Sequence, residues 1–114
     1  MKTNEFNKIV EARLNLCRET LIVKAKQYAK GSDRLANFKK AATMQNIAPI
    51  EALRGMMAKH NVCFYDQLDL AVEKGKVDPR IINEVITDMI NYLILTEALL
   101  IDEKCLEGSE DKEE

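Results

Sequence analysis

The chain of 114 residues has little of what marks several large protein classes. It has no tryptophan and only three phenylalanines and three tyrosines, so its core must be built mainly from aliphatic residues and methionine. No run of 18 apolar residues occurs, and no apolar segment follows the first residues, which argues against a membrane span and a secretory signal. The three cysteines are widely spaced and odd in number, which argues against a disulfide framework. We therefore expect reduced thiols and a cytoplasmic protein.

Charge is nearly balanced over the chain but not along it. The net charge is −2, and the last eight residues carry five acids and one lysine. We expect residues 1–106 to form one helical domain and residues 107–114 to be a disordered acidic tail. The body then has a small positive charge, too little to favour nucleic acid as a partner.

Helical spacing of apolar residues dominates the sequence, and strand-like alternation is absent. It predicts four helices, at about 3–29, 34–44, 49–73 and 79–104. Their ends carry the expected signals, among them Gly31 and Gly75 after helices and Asp78-Pro79 before one. Helices of this length joined by short turns predict an all-α antiparallel four-helix bundle, with the third and fourth helices as its central hairpin.

The apolar positions also predict which faces are buried. In the first helix a stripe includes Val10, Leu14 and Cys17. The third helix is expected to bury Leu53, Met56, Met57, Val62, Phe64 and Leu68. The apolar surface of the fourth helix, which includes Ile81 and Leu93, is unusually wide, which predicts a homo-oligomer, most simply a two-fold dimer.

Two acidic pairs flank the turn between the third and fourth helices. Asp66 and Asp69 precede it, and Glu84 and Asp88 follow it. Antiparallel packing could bring the four carboxylates together, and such a group is suited to Mg²⁺ or Mn²⁺ in phosphate chemistry.

Two further polar residues lie on the same helix faces as these acidic pairs. Asn91 continues the face of Glu84 and Asp88 and could orient water or substrate. Lys59 shares a face with Asp66 and could neutralise a phosphoryl oxygen. The alternative is that all six residues are ordinary solvent-facing side chains.

The stretch FYDQLDLAVEKGKVDPRIINEVITDMINYL resembles the core of the MazG-like all-α NTP pyrophosphohydrolases. That resemblance implies Mg²⁺ held by Asp66, Asp69, Glu84 and Asp88, although the first pair is Asp-x-x-Asp where the family has Glu-x-x-Glu. A longer resemblance, through YAKGSDRLANFKKAA, IEALRGMMAKH and ITDMINYLIL, is to small proteins of phages and prophages of Gram-positive bacteria. To that family no activity is assigned.

Two other features have less specific spacing. A basic cluster surrounds the first turn and could dock a phosphate, although lysines on helices are usually only solvated. The cluster consists of Lys24, Lys26, Lys30, Arg34, Lys39 and Lys40. His60 with Cys63 could ligate zinc, but no second pair exists, so a partly buried structural histidine is the preferred interpretation.

Two functional hypotheses follow. The first is a metal-dependent nucleoside triphosphate pyrophosphohydrolase, or a degenerate relative, of phage or prophage type. The alternative is a non-catalytic helical module that binds a nucleotide or another protein. Only the first requires the four carboxylates to converge.

Overall fold

The computed structural model describes residues 1–24 and 33–108, with the side chain of Lys24 excepted. Helix α1 spans Thr3–Arg18 and continues as a π-helical segment, Glu19–Lys24. Three further helices follow: α2 is Ala36–Gln45, α3 is Pro49–Lys74 and α4 is Pro79–Asp102. The described residues contain no strand, so the predicted all-α fold with four helices is confirmed. None of the described helices is both long and apolar enough to cross a membrane.

Helix α1 changes its winding at the point where β-branched residues begin. The hydroxyl of Thr20 donates to the carbonyl oxygen of Leu16, a bond that competes with regular helix geometry, and Ile22 and Val23 follow. The predicted helix 3–29 therefore becomes π-helical after Arg18. Residues 25–29 and the predicted cap at Gly31 lie outside the described residues.

Short-range side-chain chemistry sets the ends of α2. The carboxylate of Asp33 accepts the backbone N–H of Leu35 at 2.9 Å just before the helix. At its other end Asn46 has a φ of 56°, in the left-handed region that ends many helices. The Lys39 ammonium lies 2.7 Å from Asp33 and 3.0 Å from Asp102, which ties α2 to the end of α4.

The hairpin of α3 and α4 begins and ends where the sequence predicts. Gly75 ends α3 with a φ of 69°, and the Asp78 carboxylate accepts the backbone N–H of Arg80 at the start of α4. The hydroxyl of Thr96 lies 3.4 Å from the sulfur of Met57, and Asp88 lies opposite His60. Residue numbers therefore increase in opposite directions along the two helices, which makes the hairpin antiparallel.

The main core lies where α2 and α4 pack on α3. It consists of Leu35, Phe38, Leu53 and Leu99, and half-buried residues such as Met56 and Tyr92 pack around it. Helix α1 lies apart from this core and has its principal helix–helix contact with α4. In α1 the buried side chain is Cys17.

Several apolar residues that the periodicity assigns to the interior are exposed. Leu14 is 50% exposed, Val62 61% and Leu93 58%, and Val10, Leu68 and Ile81 are exposed as well. The burial predictions for these residues are wrong for the single chain. The reason is geometric: each long helix has a neighbour on part of its circumference, so a broad apolar face is only partly covered.

Candidate polar site on α4

Helix α4 carries a line of three polar residues, Glu84, Asp88 and Asn91, which we call the polar line. A cleft beside α1 opens at the first two of them. Glu84 and Asp88 are four residues apart and so share a face of the helix. The cleft has a volume of about 310 Å³. Its lining combines these two carboxylates with Asn83 and Thr87 of α4, Leu16 of α1 and Thr20 of the π-helical segment. A pair of carboxylates thus faces a space large enough for a small polar ligand.

Asp88 is the centre of a half-buried group that also includes His60 and Tyr92. Its carboxylate oxygen lies 3.7 Å from Nδ1 of His60, and the rings of His60 and Tyr92 have centroids 4.7 Å apart. Burial raises the pKa of the Asp88 carboxyl, and the Glu84 charge acts in the same direction while His60 opposes it. Burial, together with the charge of Asp88, also raises the pKa of the Tyr92 phenol. The 3.7 Å separation is within ion-pair range but is longer than a hydrogen bond, so the two side chains are in electrostatic contact without a direct hydrogen bond.

Asn91 is the unusual residue of the line. Its side chain is 5% exposed, and neither its amide nitrogen nor its amide oxygen has a hydrogen-bond partner. The side-chain oxygen of Gln67 on α3 is also buried and unpartnered. An unpaired buried amide costs about 1–3 kcal/mol, so such groups usually meet an ordered water or a ligand.

The structure does not bring the α3 carboxylates to this group. Asp66, Asp69 and Lys59 are all exposed. The face of α3 that meets α4 passes through His60, and a helix advances about 100° per residue, so Asp69 lies nearly on the opposite side.

Glu84 and Asp88 do lie close enough to influence each other. Within residues 1–24 and 33–108, however, no three or more of the His, Cys, Asp and Glu side chains form a group that could hold a metal ion. The four predicted ligands therefore do not form one group in this structure.

Two residues of this region take parts that the sequence analysis does not predict. His60 is partly buried, as predicted, and it also lies 3.7 Å from the Asp88 carboxylate. Arg13 donates through Nη1 to the carbonyl oxygen of Asn83 at 2.9 Å and to the hydroxyl of Thr87 at 2.7 Å, which fixes α1 on α4. Local spacing predicts neither set of contacts, because each joins residues far apart in the chain.

The basic cluster is only partly visible. Lys26, Lys30 and the Lys24 side chain lie outside the described part of the chain. Lys39 is held by two carboxylates, which raise the pKa of its ammonium, and Arg34 donates to the carbonyl oxygen of Leu21 at 3.4 Å. Lys39 and Arg34 therefore engage groups of their own chain, and Lys40 is exposed.

Comparison of the chain with protein-family models, with curated proteins and with solved structures finds no match. The resemblances to MazG-like pyrophosphohydrolases and to small phage proteins therefore stay predictions.

Proposed function

We propose that this protein is a non-catalytic helical interaction module of the cytoplasm that associates with a second copy of itself. The observation that carries the proposal is the amount of apolar surface left open by the single chain. Large apolar side chains that are at least 50% exposed occur on all four helices and on the π-helical segment: Phe6, Ile9, Leu14, Ile22, Val23, Met44, Val62, Tyr65, Val72 and Leu93.

The degree of exposure supports the same conclusion. These side chains are 50–87% exposed, so the contacts within the described part of the chain leave half or more of their apolar surface open. Phe6, Val10 and Leu14 share one side of α1, and contiguous exposed apolar surface marks interaction sites in soluble proteins.

Sedimentation over a concentration series tests the proposal. A dimer has twice the chain mass of 13.0 kDa, and we expect it to dominate at micromolar concentrations. A mass of one chain throughout the series, up to about 100 µM, would contradict self-association. Thermal unfolding with and without nucleoside triphosphates separates a pure interaction module, which is indifferent to them, from one that also captures a nucleotide.

A second candidate function is Mg²⁺-dependent hydrolysis of a nucleoside triphosphate to monophosphate and pyrophosphate. The observation that favours it is the cleft lined by Glu84 and Asp88, with the unpartnered Asn91 on the same helix. Mg²⁺ commonly takes only one or two protein carboxylates and completes its shell with water and substrate phosphates. This candidate therefore departs from the four-carboxylate site predicted from the sequence, because the α4 pair alone would hold the ion.

In this candidate each residue has a defined task. Glu84 and Asp88 would hold Mg²⁺ or Mn²⁺, which would polarise a phosphoryl oxygen. Asn91 would orient water or substrate through its amide. Lys59, Asp66 and Asp69 could contribute only in a conformation that carries them round to α4.

A pyrophosphate-release assay across the common nucleoside triphosphates, with Mg²⁺ and with Mn²⁺, tests this candidate. We expect Asp88→Asn to abolish turnover and Asp66→Asn to leave it unchanged, because Asp66 lies outside the cleft. Equal loss in both variants would favour the four-carboxylate site instead. Wild-type turnover no higher than that of Asp88→Asn would remove the hydrolase from consideration.

A further inference from the structure

The N-terminal half of α1 carries an apolar face that its own chain leaves open. Phe6 is 57% exposed, Val10 37% and Leu14 50%. These residues are four apart and lie on the same side of the helix as the buried Cys17. The side of α1 that adjoins α4 at Cys17 therefore continues towards the N-terminus as an uncovered surface.

A second apolar feature lies at the other end of the same helix. A cleft of about 460 Å³ separates α1 and its π-helical continuation from α4. Its apolar lining comes from both elements: Leu14, Leu21, Ile22, Ile94, Leu95 and Ala98. A projecting apolar surface and an apolar cleft on one chain are the two halves of a self-complementary interface.

Building on the self-association proposed above, we infer that two copies pair through α1, antiparallel, about a two-fold axis near Leu14. Residues equally far from Leu14 on either side then face each other across the axis. Phe6 is eight residues before Leu14, and Ile22 is eight residues after it. The Phe6 side chain of each copy thereby enters the cleft beside Ile22 of the other, and both open apolar features are covered.

The charges of α1 agree with the antiparallel direction. Glu11 lies three residues before Leu14 and Arg18 four residues after it, so this pairing places Glu11 of one copy near Arg18 of the other. Arg18 lines the cleft, as does Arg34. A parallel pairing would instead place each arginine near its own counterpart, and like charges at close range repel.

Substitution of the exposed aromatic residue Phe6 tests the surface. We expect Phe6→Lys in the full chain to raise the dissociation constant of the dimer by about 30-fold or more, since it removes an aromatic anchor and places a positive charge beside Arg18 and Arg34. The matched control is Val72→Lys on α3, which introduces the same charge at a side chain 87% exposed. Sedimentation equilibrium of both variants measures the effect, and circular dichroism checks that each keeps its helices.

Cysteine cross-linking tests the geometry without disturbing the fold. In a background with Cys63→Ala and Cys105→Ala, the buried Cys17 is retained and Leu14→Cys is introduced. A residue on the two-fold axis meets its own copy, so mild oxidation should link most chains into disulfide dimers. Ala12→Cys, nearly on the opposite side of the helix, should stay monomeric on a non-reducing gel.

The outcomes separate this inference from the proposed function. A wild-type chain that stays monomeric contradicts both. A dimer whose dissociation constant is unchanged by Phe6→Lys, or one in which Leu14→Cys fails to cross-link, overturns the α1 interface while self-association stands. If Phe6→Lys loses its helices, the cross-linking result alone decides.

Discussion

The α3–α4 hairpin and helix α1 both carry apolar residues at helical spacing, but they differ in what covers those residues. The hairpin packs with α2 around Leu53 and Leu99, which are 2% and 0% exposed. Helix α1 buries Cys17 and leaves Phe6 and Leu14 at least half exposed. Intramolecular packing therefore stabilises the hairpin, whereas α1 depends on one polar anchor and, we propose, on a second chain. Four predictions test this contrast, from the largest expected effect to the smallest.

The largest effect is expected in the core of the hairpin. Leu99→Ala should lower the free energy of unfolding by about 2–5 kcal/mol, because it leaves a cavity at a fully buried position. The matched control on the same helix is Leu93→Ala, where the side chain is 58% exposed, and there we expect a change within about 0.5 kcal/mol. Urea denaturation measures both. Similar losses at the two positions would mean that Leu93 is also covered, which would move part of the interface to α4.

A smaller effect of opposite sign is expected at Asn91. Asn91→Leu removes a buried amide that has no partner and should stabilise the ligand-free protein by about 1–2 kcal/mol. Asn37→Leu, which replaces the same amide at an exposed position of α2, serves as the control. Destabilisation by Asn91→Leu would show that the amide is satisfied, by an ordered water for example, and would weaken the case for a ligand at the polar line.

The polar anchor of α1 should have a local effect. Arg13→Ala removes the donor to Asn83 and Thr87 and should cost about 1–2 kcal/mol, since hydrogen bonds from charged groups exceed neutral ones. Amide hydrogen exchange should become faster in α1 and stay nearly unchanged in α3. Faster exchange throughout the chain would contradict the view that the hairpin folds independently of α1.

The smallest effect is the pH dependence from Asp88. The pKa of its carboxyl is raised in the folded protein, so the folded state holds the proton more tightly than the unfolded chain does. This contribution to stability is present below the ordinary aspartate pKa and is lost as pH rises through the raised value. Relative to Asp88→Asn, the wild type should therefore lose stability upward from about pH 4. Unfolding free energies of the two proteins at closely spaced pH values measure the difference, and a constant difference would contradict the burial of Asp88.

In the candidate site, the sequence determines which residues share a helix face but not which residues of two helices meet. The spacing of Glu84, Asp88 and Asn91 correctly places them on one face of α4, because that relation depends only on helix geometry. Whether Asp66 or His60 of α3 faces that line depends on how α3 is rotated about its own axis. Its apolar residues extend around much of the helix, so periodicity favours neither rotation. The structure turns His60 inward, and Val62, two residues later, consequently faces out.

The sequence by itself determined the helices and most of their ends. The residues that set these ends act within a few residues of the backbone they shape, so their effect can be predicted without the fold. They include Pro49, Gly75 and the Asp78-Pro79 pair. Only the tertiary structure decided which faces are covered, since burial depends on neighbours distant in the chain. It placed Asp88 against His60, left Asp66 and Asp69 in solvent, and left one side of α1 open. Packing is a relation between helices, and a pattern within one helix cannot specify the rotation of its partner.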